Sequence, residues 1–270
     1  KLTVGGGKWT TFSLPEYGIP ALWLCDGPNG VRKENAAAGK SDKFNEFGSF
    51  PATCMPTSAA LAFSWDRDLC RAAGEELGKQ ARAFGVNVLL GPGVNHKRTP
   101  IGGRNFEYFS EDPFLTGRLA GSYIDGVQSQ GVGCALKHFY ANNTEFNRLE
   151  VDVRMDERTR REIYLAAFEY IVKNYHPMTV MAAYNRTEGV LCTESYRNLT
   201  EILREEWGFG GLVMSDWWAI RNTVERLRAG CNLEMPYVSE RSWRELVAAV
   251  ESGALSEEQL DAMAQGVLEL

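Results

Sequence analysis

Short apolar runs alternate with longer amphipathic stretches along most of the chain. The runs at Ala21–Cys25, Val86–Leu90, Gly133–Leu136, Thr179–Ala183, Gly211–Ser215 and Cys231–Glu234 are compact, mostly apolar and bounded by Gly, Asn or charged residues. Such uninterrupted runs predict strands buried on both faces. A weaker run lies near Phe50–Cys54. Between the runs the period changes to that of helices. Ser58–Phe84 predicts one broken helix or two, and Phe114–Gln130 follows Glu111-Asp112-Pro113, a helix-start signal. Asp156–Asn174 carries Ile163, Ala166, Ala167 and Tyr170 on one stripe, read as its inner face. Asn198–Trp207, Ala219–Ala229, Ser242–Ser252 and Ser256–Leu268 complete the helices.

Strand–helix units repeated in this order call for a parallel sheet, closed into a barrel or open and doubly wound. An open sheet gathers its site at one switch point, whereas a barrel draws on the ends of many strands. Here unusual polar residues follow nearly every run: Asp26, Arg104, Lys137-His138, Tyr184, Asp216 and Glu234. The expected fold is therefore α/β, a (β/α)8 TIM-like barrel. Six strong runs and one weak one leave it short, so a strand escapes the pattern or the N-terminal unit is incomplete. No linker divides the chain, and 1–270 reads as a single domain. The long polar stretch Arg32–Ser49 is expected to be a mobile loop, and Gly5-Gly6-Gly7 a flexible segment.

Composition narrows the function. The chain has 270 residues, 44% hydrophobic and 24% charged, with a formal net charge of −6. That suits a globular domain, and an acidic balance without basic clusters argues against nucleic acid. No apolar run approaches the roughly 18 residues of a membrane span. The six cysteines are scattered without CxxC spacing, which predicts free thiols in a reducing compartment, hence a cytoplasmic protein. Asn142, Asn185 and Asn198 open glycosylation triplets, a pattern frequent by chance. Dinucleotide, phosphate-loop and zinc motifs are missing, so neither cofactor nor metal is expected.

The chemistry points elsewhere. In GLVMSDWW, residues 211–218, a buried strand ends on Asp216 with two indoles behind it. A carboxylate held there is a candidate nucleophile for a sugar carbon, or else the cap of a helix starting near Ala219. Trp217 offers either an apolar face for a pyranose or a core side chain. Lys137 and His138 supply donors suited to neighbouring hydroxyls, with a salt-bridged Lys and a capping His as the plainer reading. Asp26, before Gly27-Pro28, is a sugar-selecting acceptor or an Asx-turn. Arg104, behind Gly102 and Gly103, and Arg148 are candidate cationic forks. His96 and His176 are assigned no role.

Eight strings in order make the chain resemble glycoside hydrolase family 3, the β-glucosidase and β-xylosidase family. They are DGPNGVR (26–32), FPAT…SWD (50–66), GRNFEYFSEDP (103–113), KHFYANNTEFNR (137–148), DERTRREIYLAAFE (156–169), VMAAYN (180–185), GLVMSDWW (211–218) and AGCNLEMP (229–236). The resemblance implies a retaining, exo-acting β-glucosidase acting on β-glucosides or β-linked oligosaccharides, with Asp216 as catalytic nucleophile. Asp26, Arg104, Lys137, His138, Arg148 and Tyr184 would contact the terminal sugar. Met181 and Trp217 would wall the pocket, and Arg32 would brace it. Neighbouring cations would keep Asp216 ionised with a lowered pKa, while Tyr184 steers the attacking oxygen. Asn29 stands where many members carry His, an expected change at the entrance. Tyr140-Ala141-Asn142-Asn143 follows the glucosidase branch rather than the N-acetylglucosaminidase branch. In the glucosidase branch the acid/base Glu belongs to a C-terminal α/β sandwich domain. The chain is expected to lack that domain and the family's first helix, so a missing domain or partner chain would supply the acid. Glu107, Glu145 and Glu234 are the internal carboxylates that could be asked to replace it. The alternatives are a catalytically incomplete β-glucoside-binding module or a β-xylosidase.

Overall fold

The computed structural model describes residues 1–35, 37, 48–237 and 239–270. Five strands form one parallel sheet in sequence order: β1 (Leu24–Asp26), β2 (Val88–Leu90), β3 (Gly133–Phe139), β4 (Thr179–Ala182) and β5 (Leu212–Ser215). Beyond β5 the ring continues through isolated bridges. Leu233 pairs in parallel with Met214, and Val4 with Glu234. The chain then doubles back, Gly5 against Thr11, and Thr10 meets Trp23 just before β1. This is a TIM-like α/β barrel in which five strands are regular and short bridges make up the rest.

Alternation along the strands separates two cores, because successive side chains point to opposite faces. Cys25, Leu89, Cys134, Leu136, Val180, Ala182 and Val213 face the surrounding helices. Leu24, Val88, Leu90, Ala135, Met181, Leu212 and Met214 face inward and pack with Leu233, Met235 and Trp217. The inner layer fills the barrel below the C-terminal strand ends. At its top, Met181 and Trp217 line a cavity.

The sequence pattern located the strands well, and the exceptions have physical causes. Cys231–Glu234 forms bridges rather than a regular strand. Phe50–Cys54 forms no strand; instead Gly48–Ser49 pairs with Glu34–Asn35. The ring position sought there is filled by the N-terminal segment. Gly5 donates to the Glu234 carbonyl, and Gly6 lies so close to the Thr11 backbone that a Cβ would sit 2.4 Å from its carbonyl oxygen. Those glycines allow close chain approach and are not a loose tail. Most of the loop expected to be mobile lies outside the described residues.

Ser58–Phe84 divides into α1 (Ser58–Ala62) and α2 (Arg67–Ala83). Trp65 breaks it with φ 55°, and Asp66 caps α2 by accepting from Asp68 N and Leu69 N. Helix α3 (Pro113–Gln128) starts at its expected proline. Within Asp156–Asn174, a π turn at Arg160–Tyr164 precedes α4 (Ala166–Tyr175). The wider turn rotates the apolar face. Leu165, Ala167, Phe168, Ile171 and Val172 are buried, whereas Ile163, Ala166 and Tyr170 are only half-buried. The three glycosylation triplets begin on buried asparagines.

Helices α2 and α3 cross in close backbone contact. A Cβ on Gly74 would lie 2.2 Å from the Tyr123 carbonyl oxygen, and one on Gly126 2.1 Å from that of Arg71. Gly126→Ala should therefore cost about 1–3 kcal/mol through overpacking and lower the thermal midpoint. Gly210→Ala, where a Cβ meets nothing within 4 Å, should leave it nearly unchanged. Equal midpoints for the two variants would contradict this packing.

Candidate active site

The strand ends converge on a cavity of about 250 Å³, lined by Lys8, Trp9, Asp26, Arg32, Arg104, Lys137, His138, Arg148, Met181, Tyr184, Asp216, Trp217 and Trp218. All ten residues singled out from the sequence are among these. Asp26 ends β1, Lys137 and His138 belong to β3, Met181 to β4, and Asp216 directly follows β5. Both Lys137 and His138 reach one cavity because the β3 register with β4 shifts between Leu136 and Phe139.

Asp216 is buried and caps no helix. The helix at Thr223–Arg228 is capped by Asn222. Asp216 Oδ1 accepts from Trp217 N at 2.7 Å, while Oδ2 has no hydrogen-bond partner among the described residues. His138 Nε2 stands 3.6 Å from Oδ2, beyond hydrogen-bond range. Burial pushes the Asp216 carboxyl above the ordinary aspartate value, despite the opposing pull of Arg104, the Trp217 N–H, Lys137 and Tyr184. This corrects the expectation of a lowered pKa: desolvation of the buried carboxyl outweighs the cations. Burial, helped by the Asp216 charge, likewise raises the Tyr184 phenol. Burial and the charges of Arg104, Lys137 and Arg148 keep His138 well below the usual histidine range, so it is neutral.

Behind the cavity wall, Glu107 organises the cations. It accepts from Arg104 Nε at 2.7 Å and Nη2 at 2.9 Å, and its Oε1 lies 2.7 Å from Lys137 Nζ. Burial would raise its carboxyl, but Lys137 and Arg104 together hold it down at about 2. Glu107 is thus a permanent anion, unsuited to act as a general acid. Glu145 pairs with Arg148 at 2.6 Å, and Glu234 accepts from Thr223 and Ser242. Arg148 also lies over the Tyr184 ring, 4.1 Å from its centroid. Asp26 is held by Arg32 at 2.5 Å, as a brace from Arg32 requires. Asn29 does not line the cavity; its side chain accepts from Ser58 Oγ, so the expected entrance change is not seen there.

No local signal marks Lys8 and Trp9 as part of the site. The Lys8 carbonyl accepts from Trp217 Nε1 at 2.8 Å, across 209 residues, and the Trp9 and Trp217 rings stand 5.2 Å apart. Asn95 was also missed. Its side chain exchanges two 2.9 Å hydrogen bonds with the His138 backbone.

A family model for the glycosyl hydrolase family 3 N terminal domain matches residues 33–270. The chain belongs to that family. Among its relatives, it is 49% identical over 262 residues to "Thermostable beta-glucosidase B" of Acetivibrio thermocellus, covering 97% of this chain and 34% of that protein. It is 48% identical over 272 residues to "Exo-alpha-(1->6)-L-arabinopyranosidase" of Bifidobacterium longum, covering 100% of this chain and 35% of that protein. Among solved structures, beta-glucosidase 3B from Thermotoga neapolitana in complex with glucose superposes with a TM-score of 0.92 at 42% identity, covering 100% of this chain and 40% of that one. The chain spans about a third of the length of the curated relatives it matches.

Two stability measurements follow from the site's charges. Glu107→Gln leaves Lys137 and Arg104 without their shared counter-charge and should cost roughly 3–5 kcal/mol at neutral pH. Because the Glu107 pKa is depressed, its contribution is present above the unfolded glutamate value and disappears as pH falls toward about 2. Denaturant unfolding across pH checks this; a neutral-pH loss below about 1 kcal/mol would contradict a buried pairing. Asp216 has the opposite sign. Its raised pKa means that ionisation penalises the fold, so Asp216→Asn should melt higher than the parent at pH 7. The gain should fade as pH drops through the raised pKa, and a lower melting point at pH 7 would contradict it.

Proposed function

We propose that this chain forms the sugar-binding, nucleophile-bearing part of a retaining, exo-acting β-glucosidase. The observation carrying this reading is the unpartnered Asp216 Oδ2 in a cavity with Asp26, Arg104, Lys137, His138, Arg148 and Tyr184. At about 250 Å³ the space falls below the roughly 300–1,000 Å³ of drug-sized ligand sites, which suits one terminal sugar ring. Fixed donors and an acceptor would hold its hydroxyls, with Met181 and Trp217 against its apolar face.

In this mechanism the ionised Asp216 attacks the anomeric carbon. The bond to the leaving oxygen breaks as that oxygen takes a proton from a general acid, giving a covalent glycosyl-enzyme. Water, deprotonated by the same group, then releases the sugar. Tyr184, beside the carboxylate, orients the attacking oxygen. A retaining pair requires carboxyl groups about 5–5.5 Å apart. Asp26 is held by Arg32, and Glu107, Glu145 and Glu234 are tied elsewhere, so the acid/base is assigned to another domain or chain, such as a C-terminal α/β sandwich. The one-third coverage of the curated relatives supports that assignment. Six cysteines without a disulfide support a cytoplasmic setting.

A second substrate class has support of its own, since one relative of nearly equal identity is named for a pentopyranoside. Incubation with an activated 2-deoxy-2-fluoro β-glucoside, followed by intact mass and peptide mapping, should add one sugar at Asp216. Because Asp216 must be ionised and its pKa is raised, labelling should slow as pH falls, with a midpoint above the ordinary aspartate value of about 4. Competition by glucose, xylose and L-arabinose ranks the glycone. Glucose binding without a label would favour a non-catalytic glucoside-binding module, and no binding of any sugar would defeat both readings.

A further inference from the structure

His138 presents Nε2 to Asp216, and what that nitrogen does depends on which ring nitrogen carries the proton. On its far side, Nδ1 lies 3.2 Å from the Tyr108 hydroxyl and 3.4 Å from Asn95 Oδ1. Asn95 Oδ1 already accepts the His138 backbone N–H at 2.9 Å, a shorter contact. The Tyr108 hydroxyl accepts from Asn142 Nδ2 at 3.2 Å, which leaves its own proton to give. It can go to Nδ1 at 3.2 Å or to the Asn142 backbone carbonyl at 3.4 Å, and the shorter contact is to the ring.

The opposite side of the ring favours the same arrangement. With the proton on Nδ1, the Nε2 lone pair would face the unpartnered Asp216 Oδ2 at 3.6 Å, two electron-rich atoms in a buried site. With the proton on Nε2, that contact becomes attractive, and a sugar hydroxyl entering the cavity meets a donor. We propose that Tyr108 is a positioning residue that donates to His138 Nδ1 and so fixes the tautomer with its proton on Nε2, toward Asp216 and the cavity. Tyr108 is buried, and burial raises its phenol, so the donated proton stays on oxygen through neutral pH. Asn142 orients the hydroxyl, and Asn95 anchors the His138 backbone. The consequence for sugar chemistry rests on the function proposed above, but the tautomer can be measured without any sugar.

The chain has three histidines, so imidazole ¹⁵N spectra can be assigned by comparing the parent with His96→Gln and His176→Gln. In the parent, His138 should show a pyridine-type Nδ1 and a protonated, pyrrole-type Nε2 across about pH 6 to 8, where burial and the nearby cations keep the ring neutral although a free imidazole titrates at about 6.5. In Tyr108→Phe the population should shift toward Nδ1–H, with Asn95 Oδ1 as acceptor. Labelling by the fluoroglucoside should then slow by up to about tenfold, the size of one lost hydrogen bond to a sugar hydroxyl. A fluorotyrosine-substituted chain, whose more acidic hydroxyls strengthen the donation, should move the Nδ1 resonance even if Tyr108→Phe fails to fold. A protonated Nδ1 in the parent, a tautomer unmoved by Tyr108→Phe, or an Nδ1 resonance unmoved by fluorotyrosine would overturn the proposal. Absence of labelling in the parent would count against the function and leave the spectra to decide the tautomer.

Discussion

The site depends on one buried carboxylate that touches no cavity surface of its own. Glu107 binds Arg104 through two hydrogen bonds and Lys137 through a third contact. A buried Lys137 and a mostly buried Arg104 would be costly without a counter-charge. With Glu107 between them they can stand beside Asp216. The local charge is then nearly balanced, with Arg104 and Lys137 facing Glu107 and Asp216. What remains is a carboxylate oxygen with no partner, held above its ordinary pKa by burial. A site built this way gives up stability to keep one carboxylate oxygen unpartnered.

The barrel makes such a cluster possible because its strands end together. Residues from β1, β3 and β4 and from just beyond β5 meet although the chain separates them by up to 190 positions, while the inner apolar layer below supports them. Met181 and Trp217 belong to both the layer and the cavity wall, so the packing of the barrel sets the floor of the site. The N-terminal segment closes both the ring and the wall: Val4 pairs beside Glu234, and Lys8 and Trp9 clasp Trp217. Loss of that clasp would loosen the wall without touching a strand.

Much of this was legible in the sequence, for local reasons. Buried strands announce themselves as apolar runs, and a charged residue at the end of one is conspicuous; Asp26, Lys137, His138 and Asp216 were found that way. Arg104, Arg148, Met181 and Tyr184 gained roles mainly from the family resemblance. Glu107 could have been read as a partner, since it follows Arg104 by three residues in a short turn. Its contact with Lys137, thirty residues on, has no local mark. Lys8 and Trp9 were invisible for the same reason, and the glycines before them read as slack because their close contacts come from the tertiary fold. The direction of the Asp216 shift also needed the structure, since it depends on how completely the cavity strips water from the carboxylate.

The most direct measurement is a crystal structure of this chain with bound glucose. The account predicts one sugar in the cavity, its anomeric carbon facing Asp216 Oδ2 and its hydroxyls on Asp26, Lys137 and His138, with the Glu107 contacts intact. Glucose bound elsewhere, or Asp216 turned away to pair with Lys137 while Glu107 is released, would contradict it.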